Sequence, residues 1–251
     1  MLRYIRDMIQ RIGAVLFRKS MLPHDMSEES ALVYFLRQAG LDDTSKILDI
    51  GCGKGRNMHL LRRYGYRPDG VEICPFLVSE VRNGGFSCLT PSEFQKNANV
   101  YDAMLMSHII EHFTPERLLN FMDGYFDRLS IGGYVIIATP VLTKAFYYDF
   151  DHVRPYYPLG IDLVFCIEDA QVQYQSRNRL ERVGLCYRKG PYNGYFLGRA
   201  GISSAVVTII GLFFYVISLR QMCMHTGWIG LYRKVGRKNT AESSQEKGLR
   251  S

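Results

Sequence analysis

The chain has 251 residues, enough for one α/β domain with attachments and a substantial core. With 47% hydrophobic and 22% charged residues it is composed as an ordinary globular protein, which excludes wholesale disorder and confines any unfolded stretch to the ends. A net charge of +7 suits nucleic acid, an anionic membrane face or no specific partner, and the six cysteines, none in a CxxC pair, read as buried reduced thiols of a cytosolic protein, the alternatives being a disulfide framework or a zinc site.

In chain order, residues 1–20 set Leu2, Ile5, Ile9, Ile12 and Leu16 at three- and four-residue steps, with Arg3, Arg6, Arg11, Arg18 and Lys19 among them. That periodicity predicts a basic amphipathic helix within an N-terminal unit of residues 1–26. The recurring arginines leave no continuous apolar stretch for a secretory leader, so secretion is not expected. A second helix is expected from about Ser27, a capping residue, to Ala39, with Gly40 as its stop. The chain then alternates: strand Lys46 to Ile50, a glycine turn, helix Met58 to Tyr64, strand Gly70 to Ile73, helix Pro75 to Asn83 and short strand Phe86 to Leu89. Strand Ala103 to Ser107, helix Pro115 to Leu129 and strand Tyr134 to Thr139 follow, then helix Ile167 to Val183 and strands Leu185 to Arg188 and Trp228 to Lys234. Strands separated by helices imply right-handed crossovers and a mainly parallel sheet. One domain over residues 27–235 is expected, with an apolar insertion at about 196–222 and a polar tail over 236–251.

The segment Ile47-Leu48-Asp49-Ile50-Gly51-Cys52-Gly53-Lys54-Gly55-Arg56-Asn57 places a tight glycine turn directly after a buried strand, at the edge where α/β sheets bind ligands. Its Gly-x-Gly-x-Gly spacing departs from the Gly-x-Gly-x-x-Gly of dinucleotide sites, which makes a dinucleotide the weaker reading. Asp49 inside the strand end would be costly to desolvate without a cation or several donors, and a ligand ammonium group can supply that partner. About twenty residues on, Glu72 stands where a carboxylate can accept both hydroxyl hydrogen bonds of a ribose.

Ile47 to Asn57 closely resembles the first motif of class I S-adenosylmethionine-dependent methyltransferases, and Glu72 matches that family's second acidic position. Tyr101 to His112 is similar to its fourth strand and the segment after it, and Gly132 to Pro140 to its fifth strand, so the resemblance covers roughly residues 28–195 and resumes at Trp228 to Lys234. It implies a doubly wound, Rossmann-like α/β sheet, mainly parallel with an antiparallel last strand and helices on both faces. It also implies S-adenosylmethionine as cofactor, held by Asp49, Gly51, Cys52, Gly53, Asn57, Glu72, Ile73, Thr90, Ser107 and His108. Many members carry an acidic residue for the adenine after the third strand. Here Leu89-Thr90-Pro91-Ser92-Glu93 offers the Thr90 hydroxyl or the backbone beside it, with Ile73 placed to pack on the ring.

Methyl transfer from a sulfonium needs mainly in-line placement, and a base helps when the acceptor is a hydroxyl. His108 is expected to pack on the cofactor first, with a catalytic role second; Glu111 and His112 serve either catalysis or a helix start and surface. Asp151-His152-Val153-Arg154-Pro155-Tyr156-Tyr157 resembles a His-Val-Arg-x-Tyr stretch of small-molecule members. There His152 is the candidate base or acceptor-orienting group and Arg154 the ligand for an anionic or carbonyl feature, the alternative being that both brace the loop. Phe146, Tyr147, Tyr148, Phe150, Tyr156 and Tyr157 either wall a pocket or form loop core. No metal site is expected from the spacing of histidines and carboxylates. Ser107-His108-Ile109-Ile110 replaces the Asn/Asp-Pro-Pro-aromatic motif of nucleobase amine methyltransferases, which disfavours nucleic acid as substrate.

The uncharged run Ala200 to Leu219 matches a bilayer in length, but a single crossing would put two strands of one sheet on opposite sides. A helix or helical hairpin lying in one leaflet is therefore expected, with a core helix or dimer surface as the alternative. Together with the basic N-terminal helix, whose alternative is to pack on the domain, it suggests a small-molecule, lipid or lipid-linked acceptor at a peripheral position on the cytoplasmic face of a membrane. The candidate histidine base makes O-methylation the expected chemistry. A lid-bearing enzyme away from membranes and a non-catalytic binding module remain alternatives.

Overall fold

The computed structural model describes residues 27–168, 170–192, 202–219 and 221–237. The expected helix over residues 1–20 and most of the polar tail lie outside them. The first helix, α1 (Glu28–Gln38), is capped by Ser27, whose hydroxyl accepts from the Ser30 amide, and is followed by Gly40 at φ +71°. The strand β1 (Ile47–Ile50) leads through the glycine turn to α2 (Arg56–Arg63), and β2 (Asp69–Val71) ends one residue before Glu72. Then come α3 (Pro75–Asn83), β3 (Cys88–Leu89), α4 (Pro91–Lys96), β4 (Tyr101–Ser107), α5 (Pro115–Phe126) and β5 (Leu129–Pro140). Last are α6 (Pro158–Phe165), β6 (Asn178–Gly190), α7 (Ile202–Ile217) and β7 (Met224–Arg237).

Seven strands form one sheet in the order β3-β2-β1-β4-β5-β7-β6. The first five pair in parallel, and β7 runs antiparallel to both β5 and β6. Alternation of side chains across the pleat builds a core on each face. Leu48, Ile50, Met104, Met106, Val135 and Ile137 pack under α5 and α6 through Leu118, Met122, Phe126, Ile161 and Phe165. Ile47, Ala103, Leu105, Ile136 and Ala138 pack under α1 and α2 through Leu32, Phe35, Leu36, Leu60 and Leu61. Each fully buried Leu or Ile of these layers contributes roughly 1.5–3 kcal/mol against exposure. The order reverses between β1 and β4, and that switch point opens a crevice at the carboxyl ends of both strands.

Three expectations are corrected. The helix expected over Ile167 to Val183 is absent: α6 lies earlier, and residues 178–190 are strand. Asn178 and Leu180 are buried while Arg179 and Glu181 are exposed, a period of two, and Asp123 accepts hydrogen bonds from Ser176 Oγ and Asn178 Nδ2 that pin the strand's start. The helix expected to reach Leu129 stops at Phe126, because Leu129 already pairs with Tyr101 as the start of β5. Thr90 closes a capping box with Glu93 at the start of α4, a helix the sequence reading lacked.

The apolar run forms the single helix α7, and no helical hairpin occurs among the described residues. At 16 residues it is about 24 Å long, short of a bilayer's ~30 Å hydrocarbon core. Among the described residues no helix is long and apolar enough to cross a membrane. Gly211 and buried Tyr215 seat α7 on the domain; a Cβ on Gly211 would lie 2.1 Å from the Tyr192 carbonyl oxygen. Val206, Ile209, Ile210, Phe213, Phe214, Val216 and Ile217 stay exposed.

Candidate active site

The turn after β1 forms because its glycines occupy backbone that side chains resist. Gly51 sits at φ +67°, and a Cβ there would lie 2.0 Å from Ile109 Cδ1. Gly53, at φ +54°, has nothing within 4 Å of where its Cβ would be, so its backbone faces open space at the crevice. The Gly53 amide donates to Glu72 Oε2 and the Cys74 amide to Glu72 Oε1, each at 2.9 Å. Those two bonds lock the Glu72 carboxylate across the turn, and each oxygen keeps acceptor capacity for a ligand hydroxyl.

Asp49 is 1% exposed. Burial pushes its carboxyl up to about 7, against the Asn57 hydrogen bond and the Arg56 charge, which pull it down. Its Oδ2 has no hydrogen-bond partner, a costly arrangement that a ligand cation would relieve. Ile73, just beyond β2, is 80% exposed, an apolar surface suited to a flat ring. The Thr90 hydroxyl is committed to Glu93, accepting from its amide and standing 3.0 Å from Oε2, which leaves the backbone beside it for an adenine edge. The Cys52 thiol lies 3.7 Å from the Cys88 thiol, and that contact and burial hold Cys52 protonated, unsuited to attack. Cys52, Cys74, Cys88, Cys166 and Cys223 form no disulfide.

At the end of β4 the structure gathers residues that spacing alone did not connect. Glu28, in the first turn of α1, accepts from Ser107 Oγ at 2.7 Å, Arg56 Nη2 at 2.9 Å and Arg188 Nη1 at 2.7 Å, with His108 Nε2 at 2.9 Å. Burial alone would raise the Glu28 carboxyl, but His108, Ser107 and Arg188 outweigh it and hold it down at about 2. His108 has left-handed backbone at φ +57°, and its Nδ1 stands 3.3 Å from Glu111 Oε1. Glu111 and Glu28 raise the imidazole to about 9, so it is a cation at neutral pH. As such it contributes charge and packing and cannot accept an acceptor's proton. Glu28 and Arg188 carried no signal in the sequence: Glu28 reads there as a helix-start acid and Arg188 as a strand-surface charge, since their partners are 80 and 160 residues away.

The loop after β5 docks on the turn after β4. The Val153 and Arg154 amides both donate to the Glu111 carbonyl, and Trp228 Nε1 donates to the Tyr156 carbonyl. His152 Nδ1 lies 2.7 Å from the Phe146 carbonyl; a carbonyl only accepts, so Nδ1 carries the proton and Nε2 keeps its lone pair. The same logic applies to His112, whose Nδ1 is 3.1 Å from the Asp151 carbonyl. Arg154 is exposed, its guanidinium 5.6 Å from the centre of the Tyr156 ring. Of the loop aromatics, Phe146 is buried and Tyr156 half-buried, whereas Tyr147, Tyr148, Phe150 and Tyr157 are exposed. The fold also brings Glu111, His112 and His152 together, with one ligand atom of each within 4.8 Å of the others. Spacing along the chain gave no metal site because the third group arrives from a loop 40 residues on.

Residues 3–182, more than half of the chain, match the family described as a methyltransferase domain. N-terminal Xaa-Pro-Lys N-methyltransferase 1 of Xenopus tropicalis is 29% identical over 119 residues, 43% of this chain and 53% of that protein. N-terminal Xaa-Pro-Lys N-methyltransferase 1-A of Xenopus laevis is 28% identical over 123 residues, 44% of this chain and 55% of that protein. The chain thus spans about half the length of the curated relatives it matches. A SAM-dependent methyltransferase structure from Archaeoglobus fulgidus aligns over 90% of this chain and 99% of its own, with a TM-score of 0.50 and 19% identity, a likeness of fold alone. Because the matched segment carries the glycine turn and both acidic strand ends on this seven-stranded sheet, the chain belongs to the class I S-adenosylmethionine-dependent methyltransferases, with S-adenosylmethionine as its cofactor.

Proposed function

We propose that this methyltransferase transfers the methyl group to a hydroxyl of a small-molecule, lipid or lipid-linked acceptor, close to a membrane surface. The observation that carries the acceptor chemistry is the His152 ring, held by the Phe146 carbonyl with its Nε2 lone pair left over on the loop beside β4 and β5.

The crevice fits the cofactor. Asp49 Oδ2 is a buried acceptor without a partner, suited to the amino-acid ammonium directly or through water, and Asn57 steadies the same carboxylate. Glu72 offers acceptors to two ribose hydroxyls. Gly51, Cys52 and Gly53 supply close-approaching backbone, Ile73 an apolar cover and the Thr90 backbone an adenine contact. Ser107 and His108 line the far end through their bonds to Glu28. When bound, S-adenosylmethionine supplies an electrophilic methyl on a sulfonium. The chain's own work is then positioning and water exclusion, with His152 Nε2 taking the hydroxyl proton and Arg154 binding an anionic or carbonyl feature of the acceptor.

The membrane component is supported by the exposed apolar face of α7 and by the basic, periodic sequence of residues 1–20. A second reading, N-methylation of an amine, is favoured by the names of the curated relatives, both N-methyltransferases. The readings separate on product: incubation with labelled S-adenosylmethionine and a fractionated membrane extract should yield a methyl ether in a lipid-soluble fraction. His152→Ala should lower its formation about 100-fold while cofactor affinity stays within about twofold. A methylamine product, or undiminished turnover in His152→Ala, overturns the proposal.

A further inference from the structure

We infer that Glu111, His112 and His152 form a binding site for a divalent transition-metal ion of the Zn2+ class. Two imidazoles and one carboxylate present ligand atoms within 4.8 Å of one another. Metal–nitrogen and metal–oxygen bonds of about 2.0–2.2 Å put neighbouring ligand atoms roughly 3–4 Å apart, so the site closes with movements of about an ångström. In its neutral form each histidine has the tautomer a ligand needs. Nδ1 of His112 donates to the Asp151 carbonyl and Nδ1 of His152 to the Phe146 carbonyl, which fixes the tautomer and leaves both Nε2 lone pairs for a cation.

Glu111 supplies the second, independent observation. It is fully buried; Thr139 Oγ1 donates to its Oε2 at 2.9 Å, while Oε1 has no aligned hydrogen bond and only the His108 ring at 3.3 Å. A carboxylate this deep requires a compensating cation, and His108 compensates it from one side only. Asp149 Oδ2, 3.6 Å from His152 Nε2, is an exposed oxygen able to complete the coordination from solvent. Imidazole nitrogen with one or two carboxylates suits Zn2+, Co2+, Fe2+ or Mn2+, whereas Mg2+ and Ca2+ favour all-oxygen shells. Three protein ligands leave positions open, as in sites that bind a substrate oxygen. With an ion bound, His152 Nε2 ligates it instead of taking the proton; the ion then acidifies the acceptor hydroxyl, whose proton passes to solvent. For that role the inference rests on the hydroxyl-acceptor reading; for binding it does not.

The test uses the full chain, stripped with a chelator, exchanged into chelator-free buffer and titrated with Co2+ followed by calorimetry and visible absorption, then displaced with Zn2+. One Co2+ per chain is expected. Affinity should fall at least about tenfold in His112→Ala and in His152→Ala, while S-adenosylmethionine affinity stays within about twofold. His112 is half-buried and its substitution leaves the core untouched, so the retained cofactor affinity reports a folded protein. No stoichiometric Co2+ in the wild type, or unchanged affinity in both histidine variants, overturns the site and leaves a purely hydrogen-bonded cluster. Metal binding without a methyl ether product keeps the site and overturns the hydroxyl-acceptor reading instead.

Discussion

Replacing Asp49 with Asn tests how the cofactor site is held in the absence of ligand. Burial raises the Asp49 carboxyl from 3.8 to about 7. The difference of about 3.2, at about 1.36 kcal/mol for each, disfavours the ionised form in the folded protein by about 4 kcal/mol. The sign follows from the raised folded value: below pH ~3.8 the carboxyl is protonated in both states and costs nothing. Between ~3.8 and ~7 the unfolded chain releases a proton that the folded chain keeps, so the penalty grows with pH, and above ~7 it is fully present. Denaturant unfolding of the ligand-free proteins from pH 4 to 8.5 should therefore show Asp49→Asn level with the wild type at pH 4 and up to about 4 kcal/mol more stable at pH 8, less the cost of burying an amide. S-adenosylmethionine affinity of the wild type should rise up to about tenfold for each pH unit below ~7 and then level off, as the ammonium selects the ionised carboxylate. The variant should bind about 1–3 kcal/mol more weakly with no such pH dependence. A variant less stable than the wild type at pH 8, or wild-type affinity flat from pH 5 to 8, would refute the reasoning.

Gly51→Ala combines a left-handed backbone with a Cβ 2.0 Å from Ile109 Cδ1. The loss should exceed about 2 kcal/mol, a Tm fall of more than about 4 °C, and Ile109→Ala in the same chain should recover only the steric share. Unchanged Tm in Gly51→Ala would show that the turn has another form. Glu28, held down at about 2 against an unfolded 4.5, contributes stability present above pH ~4.5 and lost as pH falls towards 2. Glu28→Gln should cost about 3 kcal/mol at pH 7. It should also move the His108 titration, followed by NMR, from about 9 back towards 6.5; an unmoved titration would refute the pairing. Deleting residues 1–20 removes five basic residues against Asp7 and should weaken binding to anionic liposomes by up to a few kcal/mol at low salt, with residual salt-insensitive binding through α7. A full-length protein that ignores such liposomes would refute the membrane component.

Much of the fold was legible because its strands are short, buried and punctuated. The glycine turn, Asp49 and Glu72 could be placed because each lies next to a strand end whose apolar run is unmistakable. Helix α1 was bounded by Ser27 and Gly40 because cap and stop are local chemistry. The strand at 178–190 was misread because its charged residues leave only a faint alternation, and what makes it a strand is pairing with β7 and the Asp123 anchor. Thr90 could be placed after the third strand by resemblance, whereas its capping box with Glu93 shows only once α4 is in place.

The sequence by itself determined the sheet's class, the cofactor turn and its two acidic ends, since these depend on periodicity, backbone freedom and desolvation within a few residues. Tertiary structure alone decided which charges meet. Glu28 reaches Ser107, His108 and Arg188 only because α1 lies against the ends of β4 and β6. Glu111 and His112 meet His152 only because the loop after β5 folds back onto the turn after β4. Such contacts join residues 40 to 160 positions apart, where no local propensity operates. They are chosen by the energy of leaving a buried carboxylate unpaired, a cost that exists only once the core has closed around it.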